Sequence, residues 1–468
     1  MIRDLAQQFF QDGQHAMARA LWLDGAAVKV EDVVAHQGLT YSYIATQEYK
    51  AAEPHAQIWR LLEPNNPQAH WLYAQLIQLN GRAESEALRA FLKLEQLAPD
   101  WQGVHLPIAK IYFGRRQIEL SKSYFERALQ TAANEPDALR RVRWEYAMLL
   151  LTMGEYERGW LYHEERLGWL DLNLAPLPAP RWQGENLRGK TIVVHGEQGI
   201  GDEIMYASML NDLLAMGAKV VLACYSALVA VMRESFPTIT VVPHPRGLAD
   251  IEQWQQGVTP QWWRDLKRID YQVPMGSLAH ILGRKQNTFP RTPYLKINAD
   301  VQRKQQQLLE QQAAAQGISL VGKKLIALAW CGNLDNPHGR AKSIELSQLA
   351  ALADEHIVFV SLQNRQYGAQ ALTQKALPIV DMSQYTDEFI DTLALASLCA
   401  QIVTIDTAYF HLCAAAGLPV TLLLRRNCDW RFGWVSDDCD WYAQVDIIRQ
   451  SQDLIWDDVV PQLRKRLT

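Results

Sequence analysis

The first third of the chain repeats itself. Phe91 and Phe125 lie 34 residues apart, and so do Ala87 and Ser121. Self-similarity at a fixed period of roughly 20 to 50 residues means stacked copies of one small unit, because a single helical hairpin cannot bury its own apolar face. Small residues at Ala87, Ser121 and Gly159 let neighbouring helices approach. Phe91, Phe125 and the tryptophans then fill the remaining space.

The 34-residue period is that of tetratricopeptide repeats. Trp71, Ala87, Phe91 and Pro99 fall on one unit, and Tyr112, Phe125 and Ala128 on the next; Leu149 to Arg166 reads as a final unit with Gly154 at its turn. Gly13, Ala18 and Trp22, then Trp59 and Pro64, fit two divergent earlier units. The reading is an α-solenoid of four to five hairpins over 1–170. Most of its aromatics are core, and the array contains no pairing of nucleophile and base. It is expected to bind protein.

At 468 residues the chain has room for about three domains. Its 49% hydrophobic and 21% charged composition is that of an ordinary globular protein, and a formal charge of −5 carries no basic excess for nucleic acid. No apolar run approaches the roughly 20 residues needed to span a bilayer. The first residues carry Asp4, Gln7 and Gln8 in place of a signal-peptide core, so the expected location is the cytoplasm. The six cysteines form no Cys-x-x-Cys pair and read as buried free thiols.

Asp171 to Gly189 reads as a linker, 171–189, since Pro176, Pro178 and Pro180 cannot continue a helix and Trp182 can pin the segment to a domain. Beyond it the pattern alternates. Strands at Thr191–Val194, Lys219–Cys224, Thr238–Val242 and Tyr271–Val273, with helices Glu203–Met216 and Ala227–Ser235, predict a parallel, doubly wound unit over 190–290. Trp262 and Trp263 in a connection read as half-buried packing, with an acceptor platform as the alternative. After a second linker near Asn287 to Asn298 and a polar helix Asp300–Gln316, a second alternation occupies 291–468. Its strands are Leu325–Trp330, Ile357–Leu362, Pro378–Val380, Gln401–Ile405 and Val420–Leu424, with a helix Asp387–Cys399. Two Rossmann-like domains in tandem place the candidate site in a cleft between them.

Two loops carry the chemistry. Gly196 to Asp202 joins a strand to a helix start, which brings backbone N–H groups and one carboxylate to the carboxyl edge of a sheet. In Thr404 to His411 a strand again runs into an apolar helix, Tyr409–Ala416, with Asp406 or Thr407 as cap. A helix start favours a phosphate by only about 0.3 to 2 kcal/mol, so a nucleotide diphosphate also needs fixed cations. Lys342 and Arg431 are nominated because each follows a strand at the same edge. The plain alternatives are capping for Asp406 and a satisfied core histidine for His411. Asp438-Cys439-Asp440 matches a metal-binding signature but reads as a solvated acidic loop, and no metal site or cofactor is evident.

From Arg181 onward the chain resembles the heptosyltransferase-like, GT-B-type glycosyltransferases of family 9, in particular the subgroup that carries tetratricopeptide repeats. The matching stretches are Pro180-Arg181-Trp182-x-Gly184, Gly196 to Asp202, Trp330-x-Gly332-Asn333, Lys342-Ser343, Ser361-Leu362-Gln363, Asp406-Thr407-Ala408-x-x-His411, Asp429-Trp430-Arg431 and Trp441-Tyr442. The resemblance implies an inverting, metal-independent transfer from a nucleotide-activated sugar, with Asp202 as general base beside Gly199, Gly201 and Glu203 on the acceptor side. It implies donor binding by Lys342, Asp406, Thr407, Ala408, His411, Arg431, Asn333 and Gln363. Related sequences often have glycine at Ala408 and threonine at Glu203.

The repeats, together with the likeness to transferases that modify flagellin, make Ser or Thr of a protein the expected acceptor, with a heptose or nonulosonic acid as the sugar. The alternatives are a lipopolysaccharide-core transferase and a non-catalytic scaffold with a decayed transferase unit. The oligomeric state is open, a homo-oligomer included.

Overall fold

The computed structural model describes residues 2–467 except 171, 173, 374–376 and 435. The chain divides into two compact units, Met1–Tyr146 and Ala147–Thr468.

The first unit is a run of antiparallel helices: Ile2–Gln11, His15–Val28, Val33–Ala45, Tyr49–Leu62, Pro67–Leu79, Glu84–Leu97, His105–Gly114 and Ile118–Thr131, followed by the start of Pro136–Thr152. Local sequence sets the helix ends. Asn66 caps Pro67–Leu79 by accepting the N–H of Gln68 at 3.0 Å, and Pro67 at the first helical position lacks an N–H that would need a partner. The repeat positions hold the packing: Ala87, Phe91, Ser121 and Phe125 are buried, Ser121 donates to the Ala109 carbonyl at 2.8 Å, and Phe125 stacks on Tyr146 with centroids 4.7 Å apart. Near the start of the chain Ala18 and Trp22 are buried. A Cβ on Gly38 would meet the Trp22 ring at 2.3 Å, so glycine there permits close helix approach.

The second unit is α/β with two parallel sheets. Strands β1 (Thr191–His195), β2 (Lys219–Cys224), β3 (Thr240–Pro243) and β4 (Tyr271–Pro274) lie in the order 3-2-1-4. The larger sheet has β5 (Lys324–Ala329), β6 (Ile357–Ser361), β7 (Ile379–Val380), β8 (Gln401–Ile405), β9 (Val420–Leu424) and β10 (Val445–Arg449) in the order 10-9-8-5-6-7. Every ladder is parallel, and the strands read as near-continuous apolar runs because both faces are covered. In both sheets the strand order reverses at the first strand, β1 and β5. The crevice outside the carboxyl ends of such strands is where open α/β sheets bind ligands. Among the described residues no helix is long and apolar enough to cross a membrane.

The structure adds to the sequence reading at four points. The helices run to Trp169, but the compact units divide at Tyr146: the hairpin formed by Pro136–Thr152 and Tyr156–His163 runs into the α/β unit, where Trp160 is 1% exposed and packs edge-on against Trp430 and Trp441. The helix expected over Glu203–Met216 is two pieces, Ile200–Ala207 and Leu210–Ala215, broken at Ser208, whose hydroxyl turns back to the Met205 carbonyl at 2.7 Å. Strand β10 and a closing helix, Val459–Leu467, were not foreseen. The line drawn between 190–290 and 291–468 is not a gap in packing, since one core cluster draws from both sheets and Tyr294 of the connecting segment donates to the Ile204 carbonyl at 2.6 Å. Of the linker 171–189, Asp171 and Asn173 lie outside the described residues. Its far end adds an irregular strand beside β4, with the Trp182 N–H on the Gln272 carbonyl at 2.9 Å and the Trp182 ring buried.

Candidate active site

The loop leaving β1 is built around two carboxylates with different tasks. Glu203 is 1% exposed; it pairs with Arg246 and accepts the Tyr225 N–H at 2.7 Å. Gly196 makes room for it, since a Cβ there would meet the Glu203 carboxylate at 2.0 Å. Burial outweighs the Arg246 pairing and pushes the Glu203 pKa up to about 7. Asp202 sits one residue earlier, at the third position of the helix Ile200–Ala207. One oxygen accepts the Gly199 N–H at 3.0 Å, and the other pairs with the Arg431 guanidinium. Burial raises its pKa above the ordinary aspartate value, against the lowering pull of Arg431. Of the two, Glu203 is thus committed to the fold.

Arg431 itself is held on three sides. It reaches Asp202, bonds Asp429 at 2.5 Å and lies 4.6 Å from the centre of the Trp430 ring. Arg431, nominated with Lys342 as a fixed cation for the donor phosphate, is in this structure the counter-ion of Asp202. The pairing predicts a pH effect. In the general-base role that the resemblance implies for Asp202, its carboxylate must be ionised, so turnover should fall as pH drops through the raised pKa. Substituting Arg431→Gln removes the main lowering influence and leaves the Gly199 N–H to lower it against burial and Asp429, which both raise it. The acid limb of kcat/KM should therefore move to higher pH in Arg431→Gln, a shift that a pH–rate profile would measure.

The opposite wall comes from the larger sheet. The Lys342 ammonium lies 3.4 Å from Asp406 at the end of β8. Thr407 is the cap residue of the helix Ala408–Ala415, but its side chain bonds no helix N–H; its hydroxyl turns back to the Ile405 carbonyl at 3.4 Å. The capping expected of Asp406 or Thr407 does not occur. Between the walls lies a cavity of about 760 Å³, lined on one side by Gly199, Ile200 and Gly201 and on the other by Lys342, Thr407 and Ala408. That volume falls within the usual range of roughly 300 to 1,000 Å³ for small-molecule sites.

The remaining residues separate. Asn333 also lines the cavity, and its side chain accepts the Asp335 N–H at 2.9 Å. Gln363 is buried and clamps Cys331, accepting its N–H at 3.1 Å and donating to its carbonyl at 3.0 Å, which fixes the loop leaving β5. His411 is buried under Gly201, where a Cβ would come within 2.9 Å of its ring, and bonds the Tyr442 hydroxyl at 2.9 Å. Burial lowers its pKa to about 3, so it is neutral. It joins two helices rather than facing the cavity. In the Asp-x-Asp segment, Asp440 accepts from the Tyr156 hydroxyl, while Asp438, exposed as expected of an acidic loop, pairs with Arg291 at 2.7 Å.

Sequence reasoning missed the support beneath the glycine-rich loop. Arg166, wholly buried, bonds Glu197 at 2.7 Å and Ser277 at 3.0 Å, while Glu197 also accepts the Gly276 N–H at 2.7 Å. Glu197 stood in the quoted motif, but nothing in its spacing points to Arg166.

No protein-family model matches the chain. It is similar to protein FlbA of Caulobacter vibrioides, 26% identical over 396 residues that cover 80% of this chain and 62% of FlbA. The chain thus spans less than two thirds of that relative's length. Among solved structures it is similar to a glycosyl transferase family 9 protein from Veillonella parvula, with a TM-score of 0.45 and 13% identity over 61% of this chain and 99% of that one. It is also similar to YrrB, described as a TPR protein with an unusual peptide-binding site, with a TM-score of 0.32 and 10% identity over 36% of this chain and 84% of that one.

Proposed function

We propose that the α/β unit is an inverting glycosyltransferase of the GT-B arrangement, moving a sugar from a nucleotide-activated donor to Ser or Thr of a protein recruited by the helical repeats. The observation that carries this reading is the cavity itself. It lies where the loops leaving β1, β5 and β8 meet, and sets a glycine-rich loop against a cationic helix start. The donor phosphate takes the Lys342 side, where the first N–H groups of Ala408–Ala415 add their partial positive charge. The acceptor hydroxyl approaches from the Gly199 to Asp202 side.

The transfer is a single displacement. The hydroxyl oxygen bonds to the anomeric carbon while the bond from that carbon to the phosphate oxygen breaks, and the nucleotide leaves with the electron pair. The proton passes to Asp202, and Lys342 meets the charge that grows on the leaving phosphate. Because Arg431 already engages Asp202, it acts in this reading on the base side of the cleft.

Nucleotide binding tests the proposal without knowledge of the sugar. In a thermal-shift panel of UDP, GDP, ADP and CMP, one nucleotide at a hundred times its Kd should stabilise the protein by about 2.7 kcal/mol. The shift should be lost in Lys342→Ala. If none of the four moves the transition, the cavity is not a nucleotide site.

A further inference from the structure

A second hollow of about 280 Å³ adjoins the proposed donor cavity and shares Gly199, Ile200 and Tyr225 with it. It lies on the β1–β3 side, at the carboxyl edge of the smaller sheet, with Leu172, Ile200, Ile251, Tyr225 and Arg246 along its walls. We infer that this hollow is the acceptor subsite, and that it takes an extended polypeptide segment with an aliphatic side chain a few residues from the hydroxyl that is modified. The inference rests on the transferase reading above.

The walls are fixed by buried chemistry. Arg246 donates to the Gln198 carbonyl at 2.8 Å and pairs with the buried Glu203, whose other oxygen holds the Tyr225 N–H. One carboxylate thus sets both a cation and an aromatic wall before any ligand arrives. A guanidinium has five N–H groups. The two bonds recorded for Arg246 leave donors for a backbone carbonyl of the ligand.

Charge selects the occupant. Arg246 is paired with Glu203, and the other described walls are Leu172, Ile200, Ile251 and Tyr225, with Gln198 and Gly199 along the loop. A phosphorylated oligosaccharide would need fixed cations beyond Arg246, the one cation among the described lining residues, and that one is already paired with Glu203. A polypeptide matches it, with one carbonyl toward Arg246 and one aliphatic side chain against Ile200 and Ile251. Continuity with the donor cavity through Gly199 and Ile200 puts the adjoining hydroxyl beside the loop that carries Asp202.

Ile251 tests the idea, because it lines this hollow and not the donor cavity and is part-exposed on the helix Leu248–Gln255. The full chain would be assayed with UDP-, GDP-, ADP- and CMP-sugars on an array of Ser- and Thr-centred peptides and on a phosphorylated lipopolysaccharide-core oligosaccharide. Donor hydrolysis would be read in parallel. The wild type should prefer peptides with an aliphatic residue at one offset. Ile251→Asp should lower transfer to those peptides at least about tenfold and move the preference to Lys or Arg, while Ile251→Arg moves it to Asp or Glu, donor hydrolysis being unchanged in both. An aliphatic preference retained in both variants overturns the subsite. Transfer to the oligosaccharide with every peptide inert also overturns it, yet leaves glycosyl transfer standing. Neither transfer nor donor hydrolysis by the wild type would sink the transferase reading itself.

Discussion

Asp202→Asn should lower turnover at least about a hundredfold and leave nucleotide binding unchanged, since a positioned general base contributes about 10² to 10⁴-fold. Asparagine keeps the shape of the side chain and an oxygen for the Gly199 N–H, so the helix start is preserved. What it loses is the ability to take a proton. Arg431 keeps Asp429 as its partner, which limits the damage from an orphaned charge. Donor binding, assigned to Lys342 and the Ala408 helix start, lies on the other wall. A loss in kcat with an unchanged nucleotide thermal shift is therefore the expected pattern. Near-normal turnover would remove Asp202 from the role and would make its pairing with Arg431 a structural tie.

The second large effect concerns stability. Arg166→Met should destabilise the α/β unit by about 3 to 5 kcal/mol, because it leaves Glu197 buried without its counter-ion. Against a total of about 5 to 15 kcal/mol for an ordinary protein, that is a large fraction. The double variant Arg166→Met with Glu197→Gln should recover much of the loss, since replacing a whole buried pair is far milder than breaking it. Urea unfolding of the two variants checks both statements. Equal destabilisation of single and double variants would place the effect in packing. The same network shows where the unit can be cut. A chain begun at residue 171 lacks Arg166, Trp160 and Tyr156, whereas one begun before the helix Pro136–Thr152 retains all three.

Much of this architecture is legible in the sequence because it depends on local patterning. The apolar β-branched runs at Thr191–Val194, Gln401–Ile405 and Val420–Leu424 have few alternatives to buried parallel strands, and the structure has strands there. The repeat spacing set Ala87, Phe91 and Phe125 in the helical core for the same reason. The failures are of a different kind. Val445–Arg449 carries Asp446 and Arg449 and follows no turn signal, so its place beside β9 comes from the sheet and not from its own residues. The helices end near residue 170 as read, but the compact units divide at Tyr146, because Trp160 finds its partners, Trp430 and Trp441, far along the chain.

The site divides in the same way. The sequence indicates which loops leave strands and which residues could carry charge, but not how the charges pair. Arg431 and Lys342 were nominated as cations, but neither gave a sign of its partner, Asp202 or Asp406, because both lie far off in sequence. His411 was open between ligand and core. Only the three-dimensional approach of Gly201 settles its burial.

The most direct measurement is intact-mass spectrometry of a Ser- and Thr-containing acceptor protein incubated with the full chain and nucleotide sugars, run beside Asp202→Asn. The account predicts a gain of one glycosyl mass with release of the nucleotide in the wild type, and neither in the variant. Equal transfer by the two proteins, or neither transfer nor donor breakdown by the wild type with a nucleotide sugar whose nucleotide it binds, would contradict it.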